Sequence, residues 1–208
     1  MPGVFLKRPL SIYSTSKTGL VFLYKVIGKG TDSLSKMKAG EELEVLGPLG
    51  HGYDISAAKG KKPVFVAGGT GIASLSFLAE RLKSKGTIFY GAKTRKEVVG
   101  LEKFRKLGWK TVISTDDGTI GVKGFVTDSC SKDLSAKDCK SNILFCCGPH
   151  AMMKKIKGIA EENSIEAYAS LEEVMACGTG ICQGCVVKIA GEYKRVCSDG
   201  PVFNLRDV

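Results

Sequence analysis

The stretch PVFVAGGTGIASLSFLA, residues 63–79, decides the fold of this chain. Its first five residues are apolar, and Val64, Phe65 and Val66 favour a buried strand. Glycines at 68, 69 and 71 then form a tight turn, and apolar residues follow at helical spacing. A strand, a glycine turn and a helix in this order can receive a pyrophosphate at the helix N-terminus. A plain structural turn is the alternative, because Ser74 stands where a complete G-x-G-x-x-G has its last glycine.

The residues that follow continue this alternation. Strands are predicted at 87–91, 110–114, 142–147 and 166–169, and helices at 72–82, 96–107, 124–130 and 151–162. Strands that alternate with helices predict a parallel sheet with helices on its faces. A second turn, Cys147-Gly148-Pro149, follows one of the later strands. Because ligands of such sheets bind at the carboxyl ends of the strands, this turn strengthens the prediction of a dinucleotide site.

The residues before this unit have a different character. Strands at 5–15, 20–28 and 42–48 and a short helix at 33–38 are predicted, which indicates part of an antiparallel barrel. Arg8 and Ser11 lie three positions apart on the first strand, with Pro9 between them. An arginine can clamp a phosphate and a serine can bond a flavin nitrogen. Exposed edge-strand residues are the simpler explanation, since this spacing places the two side chains on opposite faces of a regular strand.

Four cysteines near the C-terminus form the most specific pattern in the chain. Cys177-x4-Cys182-x2-Cys185, followed after eleven residues by Cys197, is the spacing of plant-type [2Fe–2S] ferredoxins. Glycines between the first three cysteines permit the sharp bends of a loop that wraps a cluster. A hairpin is predicted to lead from residue 186 to 196 and to deliver the fourth cysteine. A structural zinc site is the alternative, although zinc sites usually present two C-x2-C pairs.

Composition limits the classes of function. Lys and Arg exceed Asp and Glu by 31 − 21 = 10, but the basic residues are scattered, so nucleic-acid binding is not expected. No apolar stretch is long enough to span a bilayer, and the N-terminus shows no signal peptide. Eight cysteines, four of them without metal-like spacing, indicate a reducing compartment, and we expect a cytoplasmic protein with no membrane contact.

Taken together, the motifs resemble one family over essentially the whole chain. They occur in this order: Arg8-Pro-Leu-Ser11, Leu23-Tyr24-Lys25, Gly30-Thr31, Gly47-Pro48-Leu49-Gly50, the turn at 68–71, Asp116-Asp117-Gly118, Cys147-Gly-Pro149, the four cysteines and Cys197-Ser-Asp-Gly-Pro-Val-Phe203. This order is similar to that of the electron transfer subunits of NAD-linked (B type) dihydroorotate dehydrogenases. That family is a branch of the ferredoxin–NADP reductase superfamily.

The resemblance implies an α/β plus β fold in three parts. These are an N-terminally shortened antiparallel flavin-binding barrel at 1–58, a parallel-sheet NAD-binding domain at 59–168 and a small [2Fe–2S] domain at 169–208. By the same resemblance, FAD is held by Arg8, Pro9, Leu10, Ser11, Leu23, Tyr24, Lys25, Gly30 and Thr31. NAD is received by Gly69, Thr70, Gly71, Ile72, Cys147, Gly148 and Pro149. Family members usually carry further strands before the Arg-Pro-x-Ser motif, so we expect an FAD site that is more exposed, is completed by another chain or is compromised.

The resemblance also implies a function in pyrimidine biosynthesis. Electrons come from the FMN of a partner catalytic subunit that oxidises dihydroorotate to orotate, in a heterotetramer of two plus two subunits. They pass through the [2Fe–2S] cluster and FAD to NAD. A cluster moves single electrons and NAD accepts a hydride, and a flavin between them does both. No acid–base catalytic residue is therefore expected, and His51 and His150 are not needed as one.

Two other functions remain open at this point. One is a small flavin and iron–sulfur subunit of a ferredoxin-dependent transhydrogenase or of a hydrogenase. The other is a zinc-stabilised scaffold without flavin. The choice between NAD and NADP is also open, because the basic run Lys93-Thr94-Arg95-Lys96 could receive a 2′-phosphate and no acidic residue is obvious at that strand end.

Overall fold

A seven-stranded sheet forms the centre of the protein, in a computed structural model that describes residues 5–135 and 139–208. The strands of the chain are β1 Ile12–Thr15, β2 Leu20–Phe22, β3 Lys62–Gly68, β4 Thr87–Ala92, β5 Lys110–Thr115, β6 Val122–Lys123, β7 Asn142–Cys147, β8 Glu166–Ser170, β9 Val186–Ile189, β10 Glu192–Arg195 and β11 Val202–Asn204. The order in the sheet is β11-β8-β7-β3-β4-β5-β6, and every pair is parallel except β11 with β8. The predicted parallel sheet is confirmed.

Four helices cover the two faces of this sheet. The helices of the chain are α1 Lys29–Ser35, which lies in the N-terminal part, and the four covering helices α2 Ile72–Arg81, α3 Leu101–Lys106, α4 Val126–Ser135 and α5 His150–Glu162. One face carries an aromatic core around Phe65 and Phe145, and the other packs aliphatic residues such as Val66, Leu144 and Ile156. Alternate residues of β3 and β7 therefore point into different cores, which explains why these strands are apolar throughout. Among the described helices, none has the length and apolar character needed to cross a membrane.

The N-terminal part differs most from the sequence prediction. Of the strand predicted at 5–15 only Ile12–Thr15 forms, and of the strand at 20–28 only Leu20–Phe22. Residues 42–48 form no strand, and the helix predicted at 33–38 lies at Lys29–Ser35. The two short strands pair only with each other, within the part of the chain that the structure describes. The apolar residues of this segment point to solvent, as Val45 at 55% exposure shows. The strand predicted at 42–48 is therefore wrong, because a strand needs a partner to pair with and no described strand pairs with this segment.

Three smaller differences have local causes. The helix predicted at 96–107 is a 3-10 turn at Arg95–Glu97 followed by α3, since Gly100 between them has a φ of +77°. The helix predicted at 124–130 runs on to Ser135. The edge strands β6 and β11 were not predicted, because two or three residues are too short to show a period. The hairpin β9–β10 is confirmed, with Ala190 and Gly191 at positive φ in its turn.

Candidate functional site

The turns after β3 and β7 are in direct contact at the carboxyl edge of the sheet. A Cβ added to Gly71 would overlap the carbonyl group of Cys147, and one added to Gly68 would stand 2.6 Å from Cδ of Pro149. Gly69 has a φ of +52°, which favours glycine. The structure thus brings the two predicted turns together. The residue after the first turn, Ile72, has a fully buried side chain that belongs to the core.

This contact predicts opposite effects for two glycine substitutions. Gly71→Ala is expected to lower the free energy of unfolding by about 2 kcal/mol, because its Cβ would meet backbone that two neighbouring strands hold in place. Gly158→Ala, in α5 where a Cβ meets nothing within 4 Å, is expected to raise it by about 0.5–1 kcal/mol. Urea denaturation followed by circular dichroism measures both. Equal shifts of the same sign would contradict the close approach at Gly71.

Cys147 ends β7 with a buried thiol among polar side chains. Its Sγ lies 3.8 Å from Oε1 of Glu172. Burial raises the pKa of Cys147 to about 12, with Glu172 adding to the shift while hydrogen bonds from Ser74 and Ser170 oppose it. The thiol is therefore protonated at neutral pH and can donate to the Glu172 carboxylate. Sequence reasoning missed Ser170 and Glu172, which reach Cys147 because β8 pairs with β7 and sets Ser170 opposite Cys147.

Tyr53 brings the N-terminal part of the chain to the same edge. Its hydroxyl donates to the carbonyl oxygen of Cys146 at 3.1 Å, and its ring meets Phe145 edge-on with centroids 5.4 Å apart. Burial raises the pKa of Tyr53 well above its usual value, so the hydroxyl stays protonated. A tyrosine in a loop gives no sequence signal of this role.

The loops after β4 and β5 are joined to each other. Asp116 donates its backbone N–H to the carbonyl of Ala92 at 3.2 Å, and Asp117 donates to that of Lys93 at 3.3 Å. The side-chain hydrogen bond from Thr119 lowers the pKa of Asp117. Two carboxylates thus stand beside the basic run at 93–96, from β5 rather than from the strand where sequence reasoning looked for one. A cavity of about 220 Å³ includes Arg95 of the basic run in its lining, together with Val98, Leu101, Glu102, Arg105, Ile113 and Ile120.

The predicted FAD residues are only partly brought together. The guanidinium of Arg8 lies over Gly30, where a Cβ would overlap it, and its Nη1 donates to the carbonyl of Leu6. Arg8 and Pro9 line one side of a cavity of about 490 Å³, and Glu173–Met175 line the other. The cavity therefore joins the Arg-Pro-x-Ser motif to the segment that leads into the cysteine loop.

The other predicted FAD residues have contacts within the chain or lie at its surface. Lys25 forms an ion pair with Glu97 at 2.8 Å. The Thr31 hydroxyl accepts the backbone N–H groups of Ile27 at 3.0 Å and Gly28 at 3.2 Å. The remaining predicted residues differ in exposure: Leu10, Leu23 and Tyr24 are half-buried, and Pro9 and Ser11 are exposed.

The four cysteines of the C-terminal loop are arranged as two pairs. Backbone hydrogen bonds to sulfur link the members of each pair: the N–H of Cys182 donates to Sγ of Cys177, and the N–H of Cys197 donates to Sγ of Cys185. The first pair faces the solvent, since Cys182 is exposed, whereas Cys185 and Cys197 are buried. Over residues 5–135 and 139–208, no three Cys, His, Asp or Glu side chains gather as a single-ion site would require. Cys177, Cys182, Cys185 and Cys197 are the residues that would hold an iron–sulfur cluster here, and four thiolates are the ligand set that such a cluster needs.

Backbone N–H groups point at the sulfurs of this loop. The Sγ of Cys177 accepts from Cys182 and Thr179, each at 3.4 Å, and that of Cys185 accepts from Cys197 at 3.4 Å. The backbone N–H groups of Cys182 and Thr179 lower the pKa of Cys177 to about 5, which makes it a thiolate at neutral pH. Positive φ values at Gly178 and Gly180 allow these turns. Thiolate character and donors to sulfur are the features that an iron–sulfur site needs.

The other four cysteines do not join this arrangement. All are buried, and they lie in or beside the α/β core: Cys130, Cys139, Cys146 and Cys147.

These features define an NAD-linked oxidoreductase of the ferredoxin–NADP reductase type with an iron–sulfur region. A solved structure described as an NADH-dependent reduced ferredoxin-NADP oxidoreductase superposes with a TM-score of 0.84 and 33% identity, covering 97% of this chain and 73% of that one. Two family models match: the oxidoreductase NAD-binding domain at residues 65–158, and the iron-sulfur cluster binding domain of dihydroorotate dehydrogenase B at 172–208.

Curated relatives identify the family. The electron transfer subunit of dihydroorotate dehydrogenase B (NAD(+)) from Clostridium acetobutylicum is 42% identical over 95% of this chain and 77% of its own length. The corresponding subunit from Caldanaerobacter subterraneus is 39% identical over 98% of this chain and 81% of its own length. The chain belongs to the family of dihydroorotate dehydrogenase B electron transfer subunits. The family and the fold confirm the expected electron-transfer class and cofactor set, [2Fe–2S], FAD and NAD, and they exclude the zinc-scaffold alternative.

Proposed function

We propose that this chain carries electrons between a catalytic dihydroorotate dehydrogenase subunit and NAD. One observation supports this above the others: the cysteine loop and the dinucleotide turns are neighbours. Glu172, whose carboxylate lies 3.8 Å from Cys147 of the β7 turn, stands only five residues before Cys177. A redox centre in the cysteine loop and a nicotinamide at the β7 turn would therefore both lie near the carboxyl edge of the central sheet.

The proposed cluster ligands are Cys177, Cys182, Cys185 and Cys197. When bound, the [2Fe–2S] cluster supplies one-electron transfer, and FAD converts single electrons into the hydride that NAD accepts. The chain's own part is to hold and shield these groups. Its backbone N–H groups stabilise thiolate sulfurs, and the buried Cys185 and Cys197 keep water from one side of the site.

The nucleotide sites follow from the turns and the cavity. NAD is proposed at Gly69, Thr70, Gly71, Ile72, Cys147, Gly148 and Pro149, with Ile72 contributing packing rather than a contact. The carboxylates of Asp116 and Asp117 disfavour a 2′-phosphate at the β5 loop, which supports NAD over NADP. FAD is proposed at Arg8, Pro9, Leu10, Ser11, Leu23, Tyr24, Lys25, Gly30 and Thr31, with the Arg8 guanidinium as the phosphate clamp at the 490 Å³ cavity.

The partner and the compartment follow from the same reasoning. An electron transfer subunit requires a catalytic subunit, and we propose an FMN-containing dihydroorotate dehydrogenase in a heterotetramer of two plus two. Domain limits of 1–58, 59–168 and 169–208 are proposed for the three parts. We propose a reducing cytoplasm as the compartment, which the metal-like spacing of four of the eight cysteines supports.

Reconstitution tests this function. The chain is coexpressed with the FMN-containing dihydroorotate dehydrogenase of its own source, and the purified complex is given dihydroorotate and NAD. Formation of NADH that requires both subunits is the expected result. The control is either subunit alone, and released flavin and iron are measured on the same samples. A chain that does not copurify with the catalytic subunit and gives no dihydroorotate-linked NADH would overturn the proposal.

A transhydrogenase subunit is the second candidate, and the superposition with the reduced ferredoxin-NADP oxidoreductase favours it. The two candidates differ in their electron donor. Electron transfer from reduced ferredoxin to a nicotinamide, together with no dihydroorotate-linked activity, would support the second. The higher identity of 42% to a dihydroorotate dehydrogenase subunit supports the first.

A further inference from the structure

A short segment of the N-terminal part contacts both ends of the proposed ligand set. This segment, Leu49-Gly50-His51, is here called the strap. The backbone N–H of His51 donates to the carbonyl of Gly200 at 2.5 Å, and its Nδ1 lies 2.9 Å from the carbonyl oxygen of Ser198. A carbonyl only accepts, so Nδ1 carries the hydrogen in this contact. The strap is thereby hydrogen-bonded to the loop that delivers Cys197.

Gly50 permits this close approach. A Cβ at Gly50 would overlap the carbonyl oxygen of Gly200 and stand 3.0 Å from that of Cys197, and its φ is +70°. His51 also forms an isolated bridge with Pro201, so the strap lies along the fourth-ligand loop over several residues. Backbone of the N-terminal part therefore touches backbone of a proposed ligand residue.

Leu49 reaches the other proposed ligand loop. A Cβ added to Gly178 would stand 3.1 Å from Cδ1 of Leu49, so the leucine side chain lies against this glycine. Gly178 follows Cys177, whose Sγ belongs to the more exposed thiol pair. One leucine thus covers the first-ligand loop while the histidine two residues later holds the fourth-ligand loop.

Tyr53 fixes the strap to the sheet. Its buried hydroxyl bonds Cys146 and its ring packs on Phe145, both in the central strand β7. With one end anchored there, the strap has little freedom to move away from the cysteine loops.

We propose that Leu49 and His51 are positioning residues of the iron–sulfur site. They fix the position of the Cys177 loop relative to the Cys197 loop, and they shield the solvent-facing pair Cys177 and Cys182. Both residues lie outside the cysteine-rich region. The proposal rests on the ligand set proposed above. It assigns a role to the Gly47-Pro48-Leu49-Gly50 motif, which the proposed function otherwise leaves unused.

The test compares His51→Leu, His51→Asn and Leu49→Ala in the full chain with its cluster. The rate at which the cluster absorbance is lost in air with EDTA is expected to rise about tenfold in His51→Leu and Leu49→Ala, the usual scale for removing a group that orients metal ligands. The electron paramagnetic resonance line shape and midpoint potential of the reduced cluster should change in the same two variants. His51→Asn keeps an N–H donor and is expected to stay close to wild type.

Leu46→Ala is the matched control, since Leu46 lies three residues before Leu49, outside the strap, and the two side chains are similarly exposed at 49% and 45%. Far-UV circular dichroism checks that each variant is folded. Wild-type rates, line shape and potential in all three strap variants would overturn the positioning role while leaving the ligand set intact. A wild-type chain that holds no iron and sulfide after reconstitution would overturn both.

Discussion

Cys185→Ala is expected to lose the iron–sulfur cluster, with iron falling from about two atoms per chain to near zero. Cys185 is buried, and its Sγ accepts the backbone N–H of Cys197 at 3.4 Å. Removing Cys185 takes away one of four thiolates and leaves the backbone N–H of Cys197 without its sulfur acceptor. Iron and acid-labile sulfide assays, with the visible spectrum, measure the loss.

Cys130→Ala is the control for this prediction. Cys130 is as buried as Cys185, but it lies in α4, within the aliphatic core. Burial raises the pKa of Cys130 to about 12, and its place in α4 puts it outside the loops that hold the four proposed ligands. Cys130→Ala should retain the full iron content. If iron were kept in Cys185→Ala or lost in Cys130→Ala, the proposed ligand set would be incorrect.

The sequence predicted the α/β part because each of its elements carries its own signal. β3 and β7 are apolar over their whole length, and the glycines at 68–71 mark the turn between strand and helix. The meeting of the two turns was also predictable, since parallel strands end at one edge. The cysteine spacing was sufficient to predict an iron–sulfur region, because few other sites need that pattern.

The remaining features depend on contacts that no local pattern encodes. Residues 42–48 have strand-like composition, yet a strand requires a partner and this segment has none in the described structure. Ser170 and Glu172 meet Cys147 only through the register of β8 against β7. His51 gave no signal at all, because its hydrogen bond to Ser198 spans 147 residues of sequence. Long-range register, rather than composition, limits such predictions.

Phe65→Ala is expected to give the largest loss of stability, about 3–5 kcal/mol. Phe65 is fully buried in β3, between β4 and β7. Its ring centroid lies 4.4 Å from that of Trp109, 5.6 Å from that of Phe145 and 6.2 Å from that of Phe104. Alanine would leave a cavity among three aromatic rings whose positions are set by different elements and cannot all close in.

Phe125→Ala is the matched control for the same chemical change at the surface. Phe125 is 61% exposed, and its ring faces the Lys155 ammonium at 4.8 Å, so its loss should cost less than about 1 kcal/mol. Urea denaturation gives both values, and an unchanged slope would show that the shift lies in stability rather than in the unfolded state.

Because a domain of this kind is stable by only about 5–15 kcal/mol, Phe65→Ala should also loosen the turn at 68–71, which continues directly from β3. If the two substitutions lowered the free energy of unfolding equally, the aromatic core would not be what supports the turns after β3 and β7.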